Sequence, residues 1–108
     1  MPYYRLTLET GDALDDGGAP VVWAACPDLP GAYEEAPDDA AARERLRDLA
    51  RRIIAEHIVR EDPLDPAISA ADTPPTGDDP TTLLVAVSEA DLAAARAAPL
   101  LVIEAPEP

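Results

Sequence analysis

The sequence predicts an α+β domain: three antiparallel strands, one long helix and a fourth strand, in the order β-β-β-α-β, with a short C-terminal helix and strand appended. Three observations predict it. Tyr3 to Glu9 alternates between apolar and polar positions, as a strand with one buried face does. Val21–Cys26 and Thr81–Val87 are short runs that are apolar on both sides. Between Leu46 and Ile58 the apolar residues recur at spacings of three and four, the period of a helix. A length of 108 residues fits one domain. Residues 1–60 form its β-β-β-α core, 61–80 a Pro/Asp-rich linker, and 81–108 complete the same domain.

Each element follows from its residues. In the first strand Tyr4, Leu6 and Leu8 share one face, and Tyr3, Arg5, Thr7 and Glu9 the other. Residues 9–20 are rich in Gly and Asp and read as a solvated hairpin loop. Asp12, Asp15, Asp16 and Gly17 are faintly like a calcium loop, but Leu14 stands where a ligand is needed and Trp23 at the closing acidic position. The second strand, Val21–Cys26, ends at Pro27, which has no N–H to give a ladder. Pro30 and Gly31 suit the central positions of a type II turn. Leu29, between two prolines, becomes an apolar plug over the sheet end. Ala32–Ala36 is a short third strand, antiparallel to the second.

Asp38 is the expected N-cap of the long helix, with Asp39 in its first turn. The helix runs to about Arg60, with Leu46, Leu49, Ala50, Ile53, Ile54, His57 and Ile58 on one face. Asp48–Arg52 and Glu56–Arg60 are i,i+4 pairs of the favourable order. Residues 61–80 carry Pro63, Pro66, Pro74, Pro75 and Pro80 and show no periodicity. Thr81–Val87 is the fourth strand. Ser88 caps a short helix, Glu89–Ala98, which stops at Pro99, and Leu100–Glu104 reads as a final strand.

Much of the 47% apolar fraction is alanine and none of it is phenylalanine, so the core is thin and association with another subunit is expected. The single cysteine, Cys26, permits no intrachain disulfide, which fits a reducing compartment. The N-terminal residues lack the basic and apolar regions of a signal peptide, and no apolar run approaches a membrane span. These features predict a cytoplasmic protein. The net charge is −14, and the chain has no lysine. Residues 38–61 hold six arginines and six acids, so the charge arises elsewhere, where sixteen acids face only Arg5 and Arg96. Such a surface repels nucleic acid and anionic membrane and attracts basic partners.

The residue types that carry chemistry are sparse. His57 is the only histidine and stands near the helix C-terminus, where a positive charge is favoured; it reads as structural. Cys26 reads as a small buried strand residue. Ser69 and Ser88, the only serines, lie outside any nucleophile elbow. Glu34 and Glu35 point to opposite faces of a strand and cannot act as a catalytic pair. Arg43, Arg47 and Arg51 form a line along the helix, but neighbouring acids and the absence of interleaved aromatics make it a solvated face rather than a nucleic-acid interface. No enzyme, metal or cofactor is expected.

Tyr3-Tyr4 opening a strand, the run Val21-Val22-Trp23-Ala24-Ala25-Cys26-Pro27-Asp28-Leu29-Pro30-Gly31, a short strand and an acid-capped, alanine-rich helix resemble the HicB-like antitoxins. The motif Pro27, Asp28, Leu29, Pro30, Gly31 carries most of the likeness, which covers residues 3–60 and, more loosely, 81–88. The resemblance implies a partial ribonuclease-H-like fold whose last strand runs parallel to the first. It implies no nuclease activity. It implies a protein that binds and neutralises a small basic RNA-cleaving toxin, HicA-like, by covering its active site. The chain departs from the family pattern at Ala36-Pro37-Asp38, where a glycine is usual, in the expanded 61–80 segment, and in a C-terminus too short for a DNA-binding module; no nucleic-acid binding of its own is expected. Asp28, Glu34 and Glu35 are the expected partner contacts. The alternative is a stand-alone homo-oligomeric binding or scaffold protein of this type, motivated by the strands that are apolar on both faces.

Overall fold

The computed structural model describes residues 3–71 and 81–97. The chain forms β1 (Tyr3–Thr7), β2 (Glu9–Leu14), β3 (Pro20–Ala25), β4 (Tyr33–Ala36), α1 (Asp39–Arg60), β5 (Ser69–Ala71), β6 (Thr82–Ala86) and α2 (Glu89–Ala97). The class is α+β, and the strands make two three-stranded antiparallel sheets, ordered β5-β1-β6 and β2-β3-β4.

The N-terminal strand explains why there are two sheets. It was expected to end at Glu9 and lead into a loop. Instead the chain stays extended to Leu14, and Leu8 marks the passage from one sheet to the other. Leu8 is buried and its N–H bonds the Thr81 carbonyl at 2.8 Å, while Glu9–Leu14 turns to pair with Pro20–Ala25. Only Asp15–Ala19 remains as the hairpin loop. There the Asp15 carboxylate accepts the N–H groups of Gly17 and Ala19, at 2.9 and 2.8 Å, so it closes the turn with its own backbone.

The fourth expected strand exists as β6, but it runs antiparallel to β1, not parallel. The intervening segment adds a strand to the same sheet. Ser69–Ala71 pairs antiparallel with the other edge of β1. β5 and β6 therefore run the same way on either side of β1. The expected last strand at 100–104, and the rest of the linker at 72–80, lie outside the described residues.

α1 begins and ends where its residues dictate. The Asp38 carboxylate accepts the Ala41 N–H at 2.8 Å, as expected of an N-cap. At the other end Asp62 N–H bonds His57 O and Glu61 N–H bonds Ile58 O, a Schellman closure that needs a left-handed residue at Glu61, φ 58°. Glycine adopts that conformation without the Cβ clash. Glu61→Gly is therefore expected to stabilise the domain by about 0.5–1 kcal/mol; an unchanged or lower urea midpoint would contradict this.

The buried face of α1 carries Ala42, Leu46, Ala50, Ile53 and Ile54, and it packs against β3, β4 and β6. Leu6 and Leu8, Ala24 and Cys26, Leu29, and Leu83, Val85 and Val87 complete the core. α2 packs on α1, and Ile53–Glu56 are four consecutive buried residues, so this part of the helix is covered all round. Ser88 caps α2 as expected: its Oγ accepts the Asp91 N–H, and the Asp91 carboxylate accepts the Ser88 N–H.

The line Arg43, Arg47 and Arg51 along α1 is expected to be a solvated face. Arg47 Nε instead donates to Leu84 O and Arg51 Nε to Ala86 O, both at 3.2 Å, along the free edge of β6. Arg45 similarly donates to Glu35 O of β4 at 2.8 Å. Their acidic neighbours hold two of these heads in place, Glu44 on Arg47 and Asp48 on Arg51. Asp48 thus pairs at i,i+3 with Arg51 rather than at i,i+4 with Arg52, because Arg51 is already anchored beside it. The expected Glu56–Arg60 pair is present at 3.0 Å.

Candidate functional site

The corner after β3 is built as the sequence predicts. The Ala32 N–H bonds Leu29 O at 3.1 Å across Pro30 and Gly31, and Gly31 has φ 88°, the geometry of a type II turn. Leu29 is buried beneath the corner. The Asp28 carboxylate turns back to the Thr7 N–H at 3.4 Å, a long contact past the end of β5. Asp28 also lies near Cys26. Burial and, secondarily, this carboxylate push the Cys26 thiol up to about 12.

Because the ordinary thiol value is 9.0, folding favours the neutral thiol. Its contribution to stability is complete below about pH 9 and is lost as pH rises toward 12. A thiol-directed disulfide reagent at pH 8 is expected to react with Cys26 only as fast as the protein opens, and at once in denaturant. Rapid stoichiometric labelling of the native protein would contradict this.

The three expected partner contacts do not form one surface. Asp28 lies at the corner on the Thr7 amide. Glu34 is paired with Ala24 and so shares the core-facing side of its sheet. Glu35 is paired with Trp23 on the opposite side. Only Glu35 of the three stands on the outer face of the β2-β3-β4 sheet.

That outer face has a composition the expected contacts did not anticipate. The register places Glu9, Ala25 and Tyr33 in one row, Gly11, Trp23 and Glu35 in the next, and Ala13 and Val21 in the third. No basic side chain is among these eight residues. Trp23 and Tyr33 stack with ring centroids 6.3 Å apart and planes 16° from parallel. The indole lies across Gly11: a Cβ there would sit 2.6–2.7 Å from Nε1, Cε2 and Cζ2, so glycine is what lets the ring lie down on the sheet. Tyr33 is 49% exposed, and its hydroxyl donates to Glu35 Oε2 at 2.6 Å. That hydrogen bond, with smaller contributions from desolvation and the carboxylate charge, raises the Tyr33 phenol above its ordinary 10.0. The result is an ordered aromatic pair flanked by Glu35 and, one row away, Glu9. The signal for it in the sequence was the two-sided apolarity of Val21–Cys26: since Ala24 and Cys26 are buried, Trp23 must point outward.

His57 and Glu56 hold the other unusual polar atoms. Glu56 Oε2 and His57 Nδ1 are buried and lack a hydrogen-bond partner among the described residues. Glu56 Oε1 is bound by Arg60. Among the described residues no group of three His, Cys, Asp or Glu side chains is arranged to hold a metal ion, and no described helix is long and apolar enough to cross a membrane.

Comparison with known proteins finds no matching family model, curated protein or solved structure.

Proposed function

We propose that this acidic α+β domain is a non-catalytic, antitoxin-like protein that binds and neutralises a small basic RNA-cleaving toxin in the cytoplasm. The observation that carries the reading is the outer face of the β2-β3-β4 sheet: an ordered Trp23–Tyr33 pair with Glu35 and Glu9 beside it and no basic side chain among its eight residues. An RNA-cleaving protein is basic where it holds RNA, and an acidic surface can occupy the same ground and speed the encounter. Aromatic side chains on such a face supply contact area at little cost in conformational entropy. The Pro27–Gly31 corner and the long capped helix support the same assignment by resemblance.

The test is co-expression with a small basic reading frame adjacent to this gene. The expected results are relief of growth arrest, co-purification of the pair, and stoichiometric inhibition of RNA cleavage that weakens with salt. Undiminished cleavage at excess of this protein, with no co-purification, would remove the proposal.

A second reading is a stand-alone homo-oligomer. Leu14 at the tip of the β2–β3 hairpin is 67% exposed, and β2 is an edge strand, which favours pairing between copies. The charge of −14 on each copy opposes it. Sedimentation at micromolar concentration distinguishes the two, since the homo-oligomer reading requires a dimer or larger species without any partner.

A further inference from the structure

Resting on the proposed function, we infer that the outer sheet face takes an arginine side chain of the basic partner, its guanidinium lying flat on the Trp23–Tyr33 platform and hydrogen-bonding Glu35. The register supplies the geometry. Trp23 and Glu35 are directly opposed on neighbouring strands and share the outer face, so a cation above the indole lies within reach of the carboxylate. The Nε1–Cζ2 side of the indole rests against the backbone at Gly11, the indole as a whole stays partly exposed, and Tyr33 is exposed. Tyr33 lies nearly parallel beside it and extends the platform.

The side chains are ordered before any ligand arrives. The aromatic stack and the Tyr33–Glu35 hydrogen bond fix three of them, so little freedom is lost on binding. Tyr33 uses Glu35 Oε2, and Oε1 carries no described hydrogen bond. A guanidinium fits this arrangement better than an ammonium. It is planar, stacks on aromatic rings, is weakly hydrated, and directs N–H groups sideways toward a carboxylate while its face stays on the ring. Glu9, in the adjacent row, adds negative charge without competing for the same atoms.

Charge complementarity selects a basic partner over a second copy. The face itself is acidic, and a second copy would bring another −14 toward it. Of a second copy's arginines, Arg43, Arg47, Arg51 and Arg60 are in ion pairs within the chain and Arg45 is on Glu35 O, which leaves the exposed Arg5, Arg52 and Arg96 against that repulsion.

Trp23 is the only tryptophan, so fluorescence excited selectively at the indole, beyond the tyrosine absorption, reports on this face alone. The experiment titrates the full chain at low salt with a blocked tetra-arginine peptide, and with a tetra-lysine peptide of equal charge. A saturable change in Trp23 emission is expected, with tetra-arginine binding about fivefold or more tighter than tetra-lysine. Glu35→Gln is expected to weaken tetra-arginine about tenfold. Glu61→Gln, which removes the same charge at the far end of α1, is expected to change it by less than about twofold. Trp23→Leu, followed by calorimetry and checked for an unchanged helical circular dichroism spectrum, should lose the arginine preference. Equal binding of the two peptides, equal effects of Glu35→Gln and Glu61→Gln, or no binding at low salt would each overturn the inference. If Trp23→Leu and Glu35→Gln leave toxin neutralisation intact, the anchor is wrong and the proposed function stands. If tetra-arginine binds as expected but no toxin is neutralised, the anchor stands and the function is wrong.

Discussion

Leu29→Ala is expected to cost about 2–5 kcal/mol of folding stability, a large share of the 5–15 kcal/mol typical of a whole domain. Leu29 is 1% exposed, and its backbone is held on both sides, the N–H on Cys26 O and the carbonyl by Ala32 N–H. The corner cannot collapse into the space a missing isobutyl group leaves, because Pro27 and Pro30 restrict the chain on either side. The rest of the core has little with which to compensate. Ala24, Ala32, Ala36, Ala42, Ala50, Ala55 and Ala95 are among its buried residues, so each large side chain carries more of the apolar burial than in a core rich in aromatics. Urea denaturation at unchanged slope measures the effect; a loss below about 1 kcal/mol would mean that the plug is not seated as described.

Arg60→Met is expected to cost about 2–3 kcal/mol, somewhat less than breaking a fully buried ion pair, because the arginine side chain is itself 34% exposed. The loss arises from what remains. Glu56 is 2% exposed, and its Oε2 has no hydrogen-bond partner among the described residues, so Arg60 supplies much of the compensation for the buried charge. The double variant Glu56→Met/Arg60→Met removes both charges and keeps the volume, and it is expected to recover most of the loss. A double variant as unstable as Arg60→Met alone would show that the arginine acts through its packing rather than its charge.

Local signals made the long helix, its Asp38 cap, the Pro27–Gly31 corner, buried Leu29 and Cys26, and the Ser88 cap legible in the sequence. Each depends on residues within a few positions of one another. The parts that were not legible depend on distant pairing. Glu9–Leu14 contains Gly11 and Asp12, poor strand residues, and is a strand because Pro20–Ala25 lies beside it. Ser69–Ala71 is too short to announce itself, and it is a strand because β1 lies beside it. Arg47 and Arg51 read as solvated because nothing local says that the carbonyls of Leu84 and Ala86 stand beside them. Of the candidate site, Glu35 was named but Trp23, Tyr33 and Gly11 were not. Charge was legible, whereas the platform emerges only when three strands are set in register.

The arginine contacts along β6 and β4 have a consequence for self-templating. A strand whose outward carbonyls are taken by guanidinium groups offers an incoming chain few acceptors, so cross-β stacking is hindered on those borders. Within the hairpin sheet, β2 is the other border, with a bare leucine at its tip. Concentrated solutions should therefore grow fibrils, if at all, from that rim, and one lysine at Leu14 should act as a gatekeeper there.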